Sequence, residues 1–158
     1  MRFLGGLTLL LLAATLPACT LDLDTSPICK DFFRLWGETP KALQFKDCQK
    51  VEGSQSDQLV ATYVVSGRDA AQVERFLVQG FKMAPLRFLC CGWENFYARD
   101  QKPARSKEGF YKDKRGRQFY ISMGSGEAFL NGQWFNERRD WPRIPQFTVR
   151  VTTSLGEV

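Results

Sequence analysis

The five cysteines of this 158-residue chain constrain its fold more than any other feature. Cys19 follows an apolar N-terminal run, whereas Cys29, Cys48 and the adjacent Cys90 and Cys91 lie farther along the chain. An odd cysteine count in an exported protein leaves one thiol over, and the remaining four suffice for two disulfides. The sequence therefore predicts a domain held by two disulfides, provided that the chain is exported and that Cys19 has another use.

Residues 1–18 have the pattern of an export signal. An apolar run from Phe3 to Leu16 follows the single charge at Arg2; it is short for a transmembrane helix and typical of a signal-peptide core. The run leads into Leu-Pro-Ala-Cys, which ends at Cys19 and resembles the lipobox of bacterial lipoproteins. The alternative is ordinary signal-peptidase cleavage after residue 18.

The resemblance to a lipobox implies that Cys19 carries fatty acyl chains such as palmitate and becomes the new N-terminus. It implies a signal peptide over residues 1–18, a lipidated tether over 19–25 and one globular domain over 26–158. Such acyl chains anchor a protein firmly to a membrane. Thr20 rather than an aspartate follows the cysteine. By resemblance to lipoprotein sorting in enterobacteria, this implies that the mature protein is on the outer membrane, facing the periplasm.

Hydrophobic periodicity predicts an α+β domain with a mainly antiparallel sheet of about five to six strands and two helices on one face. The first helix is predicted to open at Ser26 and Pro27 and to stop at Gly37, where glycine and the following proline bar continuation. The other predicted elements are a hairpin over 42–67, a helix over 68–81, a strand over 86–93, a second hairpin over 109–124 and a last strand over 146–153. Long loops are predicted over 98–108 and 124–145.

The adjacent cysteines would point to opposite faces of the predicted strand. We therefore expect one of them to pair with Cys29 and the other with Cys48, in either order, and discount a direct bond between Cys90 and Cys91. The same geometry argues against a shared zinc site, and the chain contains no histidine and no Cys-x-x-Cys pair. No metal and no cofactor is predicted.

Positive charge is concentrated in residues 99–117, which hold 8 basic and 3 acidic side chains. Their net charge of +5 accounts for the whole positive excess of the mature chain. A solvated loop is one interpretation; the other is a binding patch containing Lys102, Arg105 and Lys107 for an anionic partner in the envelope. Nucleic acid is not an expected partner of an exported protein.

The 124–145 segment is rich in the residue types that dominate protein interfaces, tryptophan and arginine. Its candidate binding residues are Trp134, Arg138, Arg139, Trp141 and Arg143. The alternative is that the two tryptophans cover the core beneath a long loop.

The stretch Cys90-Cys91-Gly92-Trp93-Glu94, with weaker similarities before and after it, resembles an uncharacterised family of small bacterial envelope lipoproteins, a domain of unknown function. The resemblance implies one intact envelope domain and no known activity. Our leading hypothesis is a lipid-anchored, non-catalytic binding module, for example an immunity or inhibitor lipoprotein that blocks an envelope-targeted toxin or enzyme. One alternative is a structural lipoprotein that contacts peptidoglycan or lipopolysaccharide. The other is a hydrolase in which Glu94 is paired with Glu127 or Asp140.

Overall fold

The structure is a computed structural model that describes residues 28–37, 39–53, 56–95 and 110–155. The predicted signal peptide and tether, the acylation site Cys19 and the basic residues Lys102, Arg105 and Lys107 lie outside the described residues. No helix in the described ranges is long and apolar enough to cross a membrane.

The described chain forms one large antiparallel sheet and three helical elements, so the predicted α+β class is confirmed. The helices are α1 (Phe32–Trp36), α2 (Ala70–Phe81) and a 3₁₀ helix (Arg138–Arg143). The strands are β1 (Gln44–Val51), β2 (Asp57–Ser66), β3 (Leu86–Leu89), β4 (Gly92–Asn95), β5 (Phe110–Lys112), β6 (Gln118–Gly124), β7 (Phe129–Leu130), β8 (Gln133–Trp134) and β9 (Gln146–Leu155). Seven of them form the main sheet in the order β1-β2-β9-β6-β4-β3, with β5 also paired to β6, while β7 and β8 form a separate hairpin.

One face of the main sheet is covered and the other is not. Strands β2 and β9 alternate buried and more exposed residues, as expected for an antiparallel sheet with a single buried face. Tyr63 and Phe147 on that face are fully buried, and the aromatic rings of the helical elements pack against them. Phe33 of α1 lies 4.9 Å from Tyr63, and Trp141 of the 3₁₀ helix lies 5.2 Å from Phe147, between ring centroids.

The first helix is shorter than predicted, because it begins at Phe32 and residues 28–31 are not helical. Its N-cap is Asp31, whose carboxylate accepts a hydrogen bond from the Arg34 amide at 3.1 Å. The buried Tyr63 hydroxyl adds a second cap, since it accepts from the Phe32 amide at 2.8 Å and donates to Asp31 at 3.1 Å. Burial raises the pKa of Tyr63 well above its ordinary value, which keeps the hydroxyl protonated as a donor.

Gly67 allows the turn after β2 to lie directly against the 3₁₀ helix. A methyl group at this position would overlap the backbone carbonyl oxygens of Trp141 and Ile144. Trp141 and Ile144 are both fully buried, so their backbone has little room to move away. The glycine therefore fixes the distance between the sheet and the helix that covers it.

The disulfide pairing expected from the sequence is wrong. Cys29 is bonded to Cys48, with an S–S distance of 2.00 Å, and this bond ties the segment before α1 to the edge strand β1. Cys90 and Cys91 are paired with each other. The expectation failed because it assumed that Cys90 and Cys91 lie in a strand, whereas they form the turn between β3 and β4.

Candidate binding surface

The predicted strand over 86–93 is in fact a tight hairpin, and the cysteine pair is its turn. Leu89 and Gly92 are opposed in the register of β3 and β4. Cys90 has a positive φ of 52°, a left-handed conformation that ends a strand, and the Cys91 amide donates back to the Leu89 carbonyl at 2.5 Å. The two side chains are therefore neighbours on a turn, and both residues are exposed.

Residues 91–93 of the Cys-Cys-Gly-Trp-Glu stretch attach this hairpin to the chain that follows β6. A Cβ at Gly92 would overlap the Gly126 carbonyl oxygen, so glycine is required for the close approach. The Cys91 carbonyl accepts from the Ala128 amide at 2.6 Å, and the Trp93 indole donates to the Phe135 carbonyl at 2.8 Å. The stretch thereby positions the segment from 126 to 135 on the edge of the sheet.

That segment contains a hairpin where the sequence predicted only a loop. Strands β7 and β8 are joined by Asn131 and Gly132, whose φ angles of 52° and 77° are the two positive values that a type I′ turn requires. Asn-Gly between short apolar runs is the strongest local sequence signal for such a hairpin, and it was available in the sequence.

The hairpin presents aromatic rings to solvent. Trp134 is 46% exposed and Phe129 is 39% exposed, although large aromatic side chains are highly buried on average. Their ring centroids are 4.8 Å apart, and Phe88 of β3 lies 6.1 Å from Trp134. We call Phe88, Phe129 and Trp134 the aromatic surface. It lies beside the Cys90–Cys91 turn, since Phe88 is two residues from Cys90 and Phe129 follows the Ala128 amide that bonds to Cys91.

Of the two tryptophans predicted to bind a partner, only Trp134 is available for binding. Trp141 is 1% exposed and packs 5.1 Å from Trp93 and 5.2 Å from Phe147. Its assignment as a binding residue is therefore wrong, and the alternative, that it covers the core, is correct. Its indole nitrogen is buried without a hydrogen-bond partner among the described residues.

Arg138 is engaged within the protein. Its guanidinium forms two hydrogen bonds to the buried carboxylate of Glu74, at 2.5 and 2.8 Å, and a third to the Leu86 carbonyl at 2.9 Å. It also lies over the Trp141 ring, 4.6 Å from the centroid. The hydrogen bond and charge of Glu74 raise the pKa of Arg138. These contacts join the 3₁₀ helix to α2 and β3, so the side chain acts in the fold rather than as a free interface group.

Arg139 and Arg143 lie on the surface but have acidic or polar partners of their own. Arg139 pairs with Glu137 at 2.8 Å. Arg143 donates to the Gln133 side chain at 2.5 Å and lies 4.3 Å from the centre of the Phe135 ring. Arg143 therefore contacts the hairpin at Gln133, the residue before Trp134.

The carboxylates considered for a hydrolase are not all brought together. Glu94 is exposed between buried Trp93 and Asn95, so it points away from the helical side of the sheet. Asp140 belongs to the 3₁₀ helix on that side and caps it with Glu137. The main sheet lies between Glu94 and Asp140. No group of three His, Cys, Asp or Glu side chains suited to a metal ion occurs within the described ranges.

Comparison with known proteins gives one similarity. A family described as a domain of unknown function, DUF4952, matches residues 21–93, which is less than half of the chain. The match includes Phe88 and ends at Trp93, so it stops before Phe129 and Trp134. No curated protein and no solved structure matches the chain.

Proposed function

We propose that this protein is a lipid-anchored, non-catalytic binding module of the bacterial cell envelope, and that it binds through the aromatic surface. The observation that supports this proposal is the exposure of Trp134 and Phe129 on a rigidly attached hairpin. Exposed aromatic rings that cluster together favour an interaction site, because their contact with water is unfavourable.

The β7–β8 hairpin is preorganised by contacts with the rest of the domain. The Trp93–Phe135 hydrogen bond, the Cys91–Ala128 hydrogen bond and the contact of Arg143 with Gln133 hold it before any ligand arrives. A preorganised surface loses less conformational entropy on association. This is a property that a binding module needs and that a loop without such contacts lacks.

The proposed lipid anchor is supported by the sequence. Leu-Pro-Ala-Cys after an apolar run, and a fifth cysteine left over from two pairs, both favour acylation of Cys19. An acylated protein of this kind is held at the outer membrane with its domain in the periplasm. The aromatic surface would then face envelope components rather than the cytoplasm.

Cross-linking from within the aromatic surface tests the proposed function. A photoreactive p-benzoylphenylalanine in place of Phe129 changes one exposed ring for another, and the same replacement at Phe110, 49% exposed on β5, is a matched control. Irradiation of intact cells should give adducts from position 129 and few from position 110. Equal adduct yields from the two positions, or none from either, would contradict the proposal.

The anchor has its own test in the same cells. Cys19→Ser should either release the protein from the membrane fraction or strand it there unprocessed, and it should abolish labelling by a clickable palmitate analogue. Normal processing and membrane retention of the Cys19→Ser protein would refute the lipid anchor without affecting the cross-linking result.

A further inference from the structure

Resting on the proposed function, we infer that the ligand of the aromatic surface is the uncharged glycan strand of peptidoglycan, with a sugar ring stacked on Trp134. Three properties of the aromatic surface favour this ligand: its charge, its size and the groups that border it.

Within the described ranges, each of the three arginines of the 3₁₀ helix already has an acidic partner. Arg138 pairs with Glu74, Arg139 with Glu137 at 2.8 Å, and Arg143 lies 3.9 Å from Asp140. Among the described residues, Glu127 is exposed two positions before Phe129 and has no ion-pair partner within 4.0 Å. A negative group at this position repels phosphates and sulfates, so phosphorylated lipopolysaccharide is a poor occupant.

The surface is also small. Aromatic side chains of this kind present about 150–250 Å² each, so the exposed fractions of Trp134 and Phe129, 46% and 39%, amount to roughly 130–210 Å² together. A stable protein interface buries about 800 Å² on each partner. The exposed aromatic area alone is therefore far below that of a protein interface, and comparable with the ring face of a sugar.

Sugar rings match this surface chemically. The axial C–H groups of a pyranose carry partial positive charge and are attracted to the negative face of an indole. The carboxylate of Glu127 is an acceptor for sugar hydroxyl groups, which are donors. In peptidoglycan the lactyl carboxylates of the glycan strand are blocked by amide bonds to the peptide, so the strand itself is uncharged.

Co-sedimentation with purified, protein-free peptidoglycan sacculi tests the inference, using the mature, lipidated protein in detergent. The wild-type protein should pellet with the sacculi, and a soluble muramidase digest of the sacculi should compete. Trp134→Ala should weaken binding about tenfold, whereas Trp134→Phe, which keeps a ring, should weaken it less. Phe110→Ala removes an equally exposed ring at another place and should bind as the wild type does.

The other outcomes separate the ligand from the proposed function. Sacculus binding that Trp134→Ala leaves unchanged, or that Phe110→Ala weakens equally, overturns the inference. Trp134-dependent binding to lipopolysaccharide micelles or to an envelope protein, without binding to sacculi, overturns the inference but leaves the binding module standing. If neither Trp134→Ala nor Phe129→Ala changes binding to any of these, the inference and the proposed function both fall. Unfolding midpoints close to that of the wild type would show that each variant is folded.

Discussion

Replacing Arg138 should destabilise the protein far more than replacing its neighbour Arg139. The side chain of Glu74 is only 6% exposed, and Arg138, 49% exposed, supplies its counter-charge through the two guanidinium hydrogen bonds. Arg138→Ala leaves a buried carboxylate without that partner and removes a guanidinium that stacks on the Trp141 ring. The same change at Arg139 breaks only an exposed pair with Glu137.

The magnitude follows from the burial of the two partners. Breaking a fully buried ion pair costs about 3–5 kcal/mol. Because half of the Arg138 side chain is exposed, water reaches the site and the electrostatic cost falls to about 2–3 kcal/mol. Loss of the cation–π contact adds about 0.5–1 kcal/mol. We therefore expect Arg138→Ala to lower the free energy of unfolding by about 2.5–4 kcal/mol, and Arg139→Ala by no more than about 0.5 kcal/mol.

Urea unfolding followed by tryptophan fluorescence measures both values. A double-mutant cycle makes the test specific, because Glu74→Gln removes the buried charge that Arg138 compensates. The double variant Glu74→Gln with Arg138→Ala should be less destabilised than the sum of the two single variants. Additive effects, or a cost at Arg138 no greater than at Arg139, would refute the interpretation that Arg138 is a structural residue.

Two further predictions concern local geometry and pH. Gly67→Ala should lower the free energy of unfolding, measured in urea, by about 1–3 kcal/mol, since the methyl group has no space. Gly80→Ala, at an exposed position of α2 with open space around it, should raise it by about 0.4–1 kcal/mol. Equal effects of the two substitutions would contradict the packing argument. Burial alone would raise the pKa of Asp113 in the β5–β6 turn, but hydrogen bonds from the side chain and amide of Arg117 and from the Arg115 amide outweigh it and hold the pKa below its ordinary value. A carboxyl group with a lowered pKa stabilises the fold at pH values above its ordinary pKa, and this stabilisation is lost as the pH falls through the pKa of the folded state. Asp113→Asn should therefore lower the free energy of unfolding at pH 7 and change it little at about pH 2. A cost that does not depend on pH would contradict this.

Elements with a strong local pattern could be predicted from the sequence. The helix expected over 68–81 is α2, Ala70–Phe81, and the strand expected over 146–153 is β9, Gln146–Leu155. In α2 the apolar residues recur at the helical period of 3.6 residues, and in β9 they recur at every second residue. In each case this spacing places the apolar side chains on the face that packs in the core. The antiparallel class follows because four of the six predicted strands belong to hairpins with short turns.

The β3–β4 hairpin could not be predicted in this way. Its turn depends on a non-glycine residue, Cys90, in a left-handed conformation that local preferences disfavour. A run of eight residues with apolar side chains on either side of two cysteines is typical of one strand. The antiparallel pairing of β3 with β4 shows that it is two strands. The error in the disulfide pairing followed directly from this one.

Composition alone could not separate the roles of Trp134 and Trp141. Both lie in one short segment with arginines nearby, so composition gives them the same role. The 3₁₀ helix turns Trp141 onto Phe147 of the sheet, while the Asn131–Gly132 turn directs Trp134 outward. The two tryptophans are connected through Trp93. Trp93 packs against the buried Trp141 ring, and its indole holds the hairpin that carries Trp134 through the Phe135 carbonyl. Loss of the Trp93–Phe135 hydrogen bond should therefore weaken binding at Trp134, although Trp93 is not part of the aromatic surface. The Cys-Cys-Gly-Trp-Glu stretch thus supports the proposed binding surface through the fold.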